Sequence, residues 1–150
     1  MDHKVSQVGK EALKFSEGVR ETCYYDSKGL PTIGVGHLIK PTEQHLLTGR
    51  LTMSQVDEML THDLAVVENW INAHCKWSNP INQNEFDALA NFLFQYNIDS
   101  SKYTNTRATI ISGNRDKIAQ ALMQFVNITA GKGDQKLLPR RIREIKMFRG

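Results

Sequence analysis

The chain has 150 residues, 40% hydrophobic and 23% charged, with a formal net charge of +3, which excludes the composition of a disordered chain. Its longest uninterrupted apolar run is the four residues Leu64 to Val67, which excludes a transmembrane helix of about 20 apolar residues. The charge is uneven: residues 132–150 hold seven basic and two acidic side chains, a local balance of +5 that leaves −2 for the remainder.

Met1-Asp2-His3-Lys4 leads into no apolar core, so no signal peptide is expected. Residues 2–17 read as a helix. Val5, Val8, Ala12 and Phe15 recur at helical spacing, with Leu13 on the same broad face. The pattern stops at Glu17-Gly18. Cys23-Tyr24-Tyr25, the turn-forming Asp26-Ser27-Lys28-Gly29 and the alternating Thr32-Ile33-Gly34-Val35-Gly36 then read as a β-hairpin. Glycines at 34 and 36 mark a strand that something approaches closely. Pro41 to Arg50 reads as a loop or short irregular turn.

Thr52-Met53-Ser54-Gln55 fits a capping box, and Val56, Leu60, Leu64, Val67 and Ile71 carry one stripe to about His74. Asn82 with Glu85 three residues on starts a further helix, whose apolar face is Phe86, Leu89, Ala90, Leu93 and Phe94. Asn97 to Lys102 reads as a turn. Helices at about 105–112 and 115–127 are separated by Gly113-Asn114, and the loop Gly131-Lys132-Gly133-Asp134 precedes a basic last helix broken near its start by Pro139. Cys23 and Cys75 are too few for a disulfide scaffold and read as buried free thiols. A small β element among segregated helices argues an α+β fold.

The densest cluster of chemically useful residues lies between Glu17 and His37. Glu17 ends the first helix, Asp26 follows nine residues later in the hairpin turn, and Thr32 six residues after that on the returning strand. Two carboxylates in different environments suit glycoside hydrolysis, one donating a proton to the leaving oxygen and the other handling water. Asp26 ahead of Gly29 is equally an ordinary turn former, and Glu17 equally a helix-end surface residue. No His, Cys, Asp and Glu set has zinc-ligand spacing. Gly34-x-Gly36 and Gly131-Lys132-Gly133 lack the remainder of a dinucleotide or phosphate loop, so no metal or cofactor is expected.

Taken together, Glu17-Gly18-Val19-Arg20, Tyr24-Tyr25-Asp26-Ser27-Lys28-Gly29 and Thr32-Ile33-Gly34-Val35-Gly36-His37 resemble the phage-type lysozymes, the endolysins of glycoside hydrolase family 24. Asn82 to Leu89, Phe94-Gln95 and Pro139-x-Arg141 look like later landmarks of that family, and the likeness covers about residues 10 to 148. It departs at Val126, where many members carry Trp, and at Asn97, where a Gly is common.

The resemblance implies one lysozyme domain over residues 1–150. It has an N-terminal lobe at about 15–55, an inter-lobe helix at about 52–74 and a helical C-terminal lobe at about 75–150, on which helix 2–17 packs. It implies an inverting muramidase acting on peptidoglycan, with Glu17 as general acid and Asp26 and Thr32 positioning water. Gly34, Gln95 and Arg141 would meet substrate or line its groove, and His37 would pair structurally with Asp63. A lytic transglycosylase and a non-catalytic wall-binding protein are the alternatives. The expected protein is a monomer made in the host cytoplasm that reaches the wall after a phage holin opens the membrane. The basic last helix reads as a solvated face attracted to the anionic envelope. No nucleic-acid motif accompanies it, so no nucleic-acid partner is expected.

Overall fold

The computed structural model describes residues 2–96, 100–125 and 137–150, with the side chain of Leu137 excepted. The expected loop at 131–134, the end of the helix expected to reach 127, and the departures at Asn97 and Val126 lie outside these residues. The chain divides into two compact units, Glu11–Val66 and Met1–Lys10 with Val67–Gly150. Helices α1 (Gln7–Glu17) and α2 (Met53–His74) contribute residues to both.

In the Glu11–Val66 unit, α1 is followed by strands β1 (Arg20–Tyr25), β2 (Pro31–Gly34) and β3 (His37–Leu38). They form one antiparallel sheet in the order β1-β2-β3, with Tyr24 opposite Thr32 and Thr32 opposite Leu38. The hairpin is as expected; the third strand is not, because two residues are too short to show an alternation. The segment Pro41–Leu47 is a 3-10 helix rather than a loop. Leu13, Ile33, Val35, Val56 and Leu60 are buried. Lys14 Nζ lies 2.6 Å from Asp57 Oδ1, linking α1 to the first turns of α2. The capping box of α2 is closed in both directions: Thr52 N–H donates to Gln55 Oε1 at 2.8 Å, and Gln55 N–H to Thr52 Oγ1 at 3.1 Å.

The other unit is helical: α3 (Gln83–Phe94), α4 (Thr104–Ser112), α5 (Arg115–Gln124) and α6 (Leu137–Arg149). The Asn82 side chain accepts from Glu85 N–H at 2.8 Å, while Glu85 Oε1 accepts from Asn82 N–H at 2.9 Å. Every residue from Glu85 to Leu93 is buried, as expected of a helix surrounded by others. Its three polar members are each bonded. Glu85 binds Arg115, whose Nη2 donates to Oε1 at 2.9 Å. Asp87 accepts Ser6 N–H at 2.9 Å, and Asn91 donates to the Gly9 carbonyl at 3.1 Å. Pro139 lies within the first turn of α6 and does not break it, because a proline there forfeits no helical hydrogen bond. Among the described residues the regular elements outside the small sheet are helices, so the fold class is α+β.

Helix α1 starts five residues later than the sequence pattern predicts. Residues 3–6 precede it as a strap held through its backbone. Asn72 bonds both His3 N–H and His3 O at 2.9 Å, Glu68 accepts Val5 N–H at 2.8 Å, and Gln83 donates to Lys4 O at 2.8 Å. Ser6 Oγ accepts Gly9 N–H at 3.2 Å, making Ser6 the N-cap. The buried face of α1 is Gly9 and Leu13, whereas Val8 and Phe15 are 71% and 75% exposed. The predicted stripe was rotated because it counted residues of the strap as helical.

Candidate active site

Glu17 is the last residue of α1, which ends because Gly18 adopts φ +80 and returns its N–H to Lys14 O at 2.8 Å. The chain enters β1 two residues later. Asp26 follows β1 and builds the hairpin turn. Its Oδ1 accepts Lys28 N–H at 2.8 Å and Leu30 N–H at 2.9 Å, while its backbone N–H donates to Leu30 O at 2.9 Å. Both side-chain bonds fall on Oδ1, and Oδ2 receives neither. Asp26 is thus a turn former, and the second oxygen of its half-buried carboxylate takes no part in that duty.

Thr32 sits on the central strand and is 3% exposed. Its hydroxyl donates to Leu30 O at 2.9 Å. With its proton committed, the Thr32 oxygen can meet a further molecule only as an acceptor. The β2–β3 turn beside it runs through Gly34 and Gly36, both left-handed at φ +66 and +63. A Cβ on residue 34 would meet Met59 Sδ at 3.4 Å and Leu51 Cδ1 at 3.8 Å, so Gly34 faces packed side chains. A Cβ on residue 36 would fall 2.7 Å from Glu17 Oε1. The backbone of this turn therefore passes directly against the Glu17 carboxyl group.

Tyr24, opposite Thr32, has its hydroxyl pKa raised by burial first and by the negative charge of Glu17 second. The Arg20 guanidinium lies 4.7 Å from the Tyr24 ring centroid and acts in the opposite direction. Neither residue carried a predicted role, although both belong to the string that carries the resemblance.

His37 begins β3. Its Nδ1 lies 2.7 Å from Asp63 Oδ2 on α2, and its Nε2 lies 3.0 Å from Glu43 Oε1. The Asp63 bond is the largest influence raising the His37 pKa, against opposing burial, and the Glu43 bond adds to it. Glu43 is held below the ordinary carboxylate range, first by the Lys40 N–H that it accepts at 3.0 Å and then by His37. Asp63 was named from sequence and Glu43 was not. Its position three residues after Lys40, just past Pro41, is the helix-start signal that could have found it.

In the helical unit, Gln95 caps the C-terminus of α3 and its Oε1 accepts from Arg141 Nη2. Arg141 has 0% exposure, with Nη1 2.7 Å from Glu144 Oε1 and its guanidinium 4.9 Å from the Phe92 ring centroid. Arg140 is 6% exposed and donates to Glu144 Oε2 at 3.1 Å and to Asn91 O at 3.0 Å. Burial raises the Glu144 pKa despite the two arginines. This corrects the reading of the basic last helix as a solvated face at Arg140. Arg140 and Arg141 are interior side chains, while Arg143 and Lys146 are exposed. Among the described residues no cluster of three or more His, Cys, Asp or Glu could hold a metal ion. Both thiols are free; Cys75 is buried, its pKa pushed up to about 12 by desolvation, and Cys23 is half-buried.

The chain is similar to known proteins along nearly its whole length. The endolysin of Salmonella phage P22 is 36% identical over 146 residues, which are 97% of each chain. A crystal structure of a P22 lysozyme variant superposes with a TM-score of 0.81 at 32% identity, covering 99% of both chains. The muramidase domain of SpmX from Asticaccaulis excentricus superposes with a TM-score of 0.80 at 28% identity, covering 97% of both. The model of the phage lysozyme family matches residues 14–144, and with that span and those relatives the chain belongs to the phage lysozyme family.

Proposed function

We propose that this chain is an inverting N-acetylmuramidase, cleaving the β-1,4 bond between N-acetylmuramic acid and N-acetylglucosamine in peptidoglycan. Glu17 is the general acid, and Asp26 and Thr32 position the attacking water. Membership of the phage lysozyme family makes the protein a lysozyme-type glycoside hydrolase. The observation that carries the finer reading is local. The Glu17 carboxyl lies against the β2–β3 turn of the sheet whose first hairpin bears Asp26 and Thr32.

The hydrogen-bond directions support these roles. Asp26 Oδ1 is occupied by two amides and the Thr32 proton by Leu30 O. A water touching Asp26 Oδ2 and Thr32 Oγ1 donates a proton to each and turns a lone pair outward. Attack by that lone pair on the anomeric carbon breaks the bond to the glycosidic oxygen, which takes the Glu17 proton. The water's own proton passes to Asp26, and entry opposite the leaving group inverts the anomeric centre. Delivery to the wall after a phage holin opens the membrane belongs to the same reading. Among the described residues no helix is long and apolar enough to cross a membrane.

Digestion of purified peptidoglycan followed by mass spectrometry tests the reaction. Reducing ends are expected; 1,6-anhydro ends would make it a transglycosylase, and absence of products a binding protein. Glu17→Gln is expected to keep its melting temperature and to lose about 10²–10⁴-fold in kcat. Cleavage by that variant at the wild-type rate would end the assignment of the acid.

A further inference from the structure

The Glu11–Val66 unit holds four glycines with left-handed backbone: Gly18, Gly29, Gly34 and Gly36. A Cβ would meet nothing within 4 Å at Gly18 and Gly29, and only ordinary contacts at Gly34. At Gly36 it would fall 2.7 Å from Glu17 Oε1, 3.4 Å from Cδ and 3.6 Å from Cγ. The absent side chain is thus replaced there by a carboxyl group.

We propose that Gly36 is a positioning residue for the acid: its missing side chain makes a seat in which the Glu17 carboxyl rests against the β2–β3 turn. The inference rests on the reading of Glu17 as general acid and adds what fixes its location. A glutamate side chain has three torsions that together set where its carboxyl lies. Backbone lying against one side of the carboxyl removes part of that freedom. The space at residue 36 then serves the acid rather than the substrate.

A methyl group at residue 36 would push the carboxyl oxygen from 2.7 Å toward the 3.4 Å of ordinary contact. Proton donation needs heavy atoms about 2.6–3.2 Å apart, and misplacement by ~1 Å can cost ~10²-fold in rate. Gly36→Ala is therefore expected to lower kcat on the order of 10²-fold and to leave KM within about twofold. Gly36→Asn carries the same Cβ on a residue that tolerates left-handed backbone. It is expected to show the same loss and serves where the alanine variant folds poorly.

Gly113→Ala controls for instability, because Gly113 has φ +73 and its Cβ would meet Trp77 Cγ at 2.7 Å. It is expected to lower the melting temperature without changing kcat. The deciding measurement repeats Gly36→Ala in a Glu17→Asp background, whose carboxyl is one methylene shorter. The loss caused by residue 36 should shrink there from ~10²-fold to within about threefold, since coupled residues are not additive. An equal loss in both backgrounds, or a raised KM with unchanged kcat, overturns the seat; the second outcome returns the space to the substrate. A Glu17→Gln variant that remains active brings down the acid assignment itself. An inactive Glu17→Gln beside a fully active Gly36→Ala brings down only the seat.

Discussion

Asp26 carries two tasks on two atoms. Its Oδ1 holds the hairpin turn through the amides of Lys28 and Leu30, and its Oδ2 is the proposed acceptor of the water proton. Asparagine separates them, because its carbonyl oxygen can still accept both amides while its NH2 group can only donate. Asp26→Asn is expected to change stability by no more than about 0.5 kcal/mol and to lower kcat ~10²-fold or more. Asp26→Ala loses both atoms and should unfold more easily as well. Thermal melts beside turnover on purified peptidoglycan check the separation; equal destabilisation by the two variants would mean that the turn does not rest on Oδ1. The turn was legible in Asp26-Ser27-Lys28-Gly29 because an Asx turn depends on four neighbouring residues. The candidate cluster of Glu17, Asp26 and Thr32 could be picked out from sequence because the three lie within sixteen residues of one another.

At the level of elements, sequence reading succeeded where a signal was local and failed where a distant partner decided. The capping boxes at Thr52 and Asn82 involve residues three apart and are present as read. The start of α1 was misplaced because side chains about 65 to 80 positions away bond residues 3–6 and keep them outside the helix. The His37 contact has both characters. Asp63 came from the resemblance, whereas Glu43 reaches His37 only through the 3-10 helix Pro41–Leu47 that takes the place of most of the expected loop. This contact ties β3, that helix and α2 together, and its strength should follow pH. The raised His37 pKa makes its contribution full below the unfolded imidazole value of ~6.5. The contribution is lost as pH rises through the folded value. The lowered Glu43 pKa makes the carboxylate's contribution present above the ordinary glutamate range and lost as pH falls through the folded value. Asp63→Asn is therefore expected to lower the His37 pKa, read by NMR, and to cost more stability near pH 6 than near pH 9. Glu43→Gln should act in the same direction and more weakly, following the order of the two influences. A His37 pKa unmoved by Asp63→Asn would refute the ion pair.

For the molecule as a whole, the α+β class was legible because a small β element and helices occupy separate stretches of chain. The meaning of its charge was not. A count along the last helix treats Arg140, Arg141, Arg143 and Lys146 alike. Packing divides them: Arg140 and Arg141 are buried around Glu144, while Arg143 and Lys146 are exposed. Attraction to an anionic wall can use only charges in contact with solvent, and salt screens such charges over about 8–10 Å. Neutralising Arg143 and Lys146 together is expected to leave folding intact and to flatten the fall of lytic rate with rising salt. Arg140→Gln should do the reverse. It removes one of the two buried arginines paired with Glu144 and is expected to cost about 1–3 kcal/mol, while leaving the salt dependence of the surviving folded enzyme unchanged. Lysis of outer-membrane-stripped cells from 20 to 300 mM salt, as a chosen range, alongside thermal melts, distinguishes the two variants. If Arg140→Gln flattened the salt response without loss of stability, the division of charge between interior and surface would be wrong. If the Arg143 and Lys146 variant kept the wild-type slope, the basic end of the chain would have no part in holding the enzyme to its substrate.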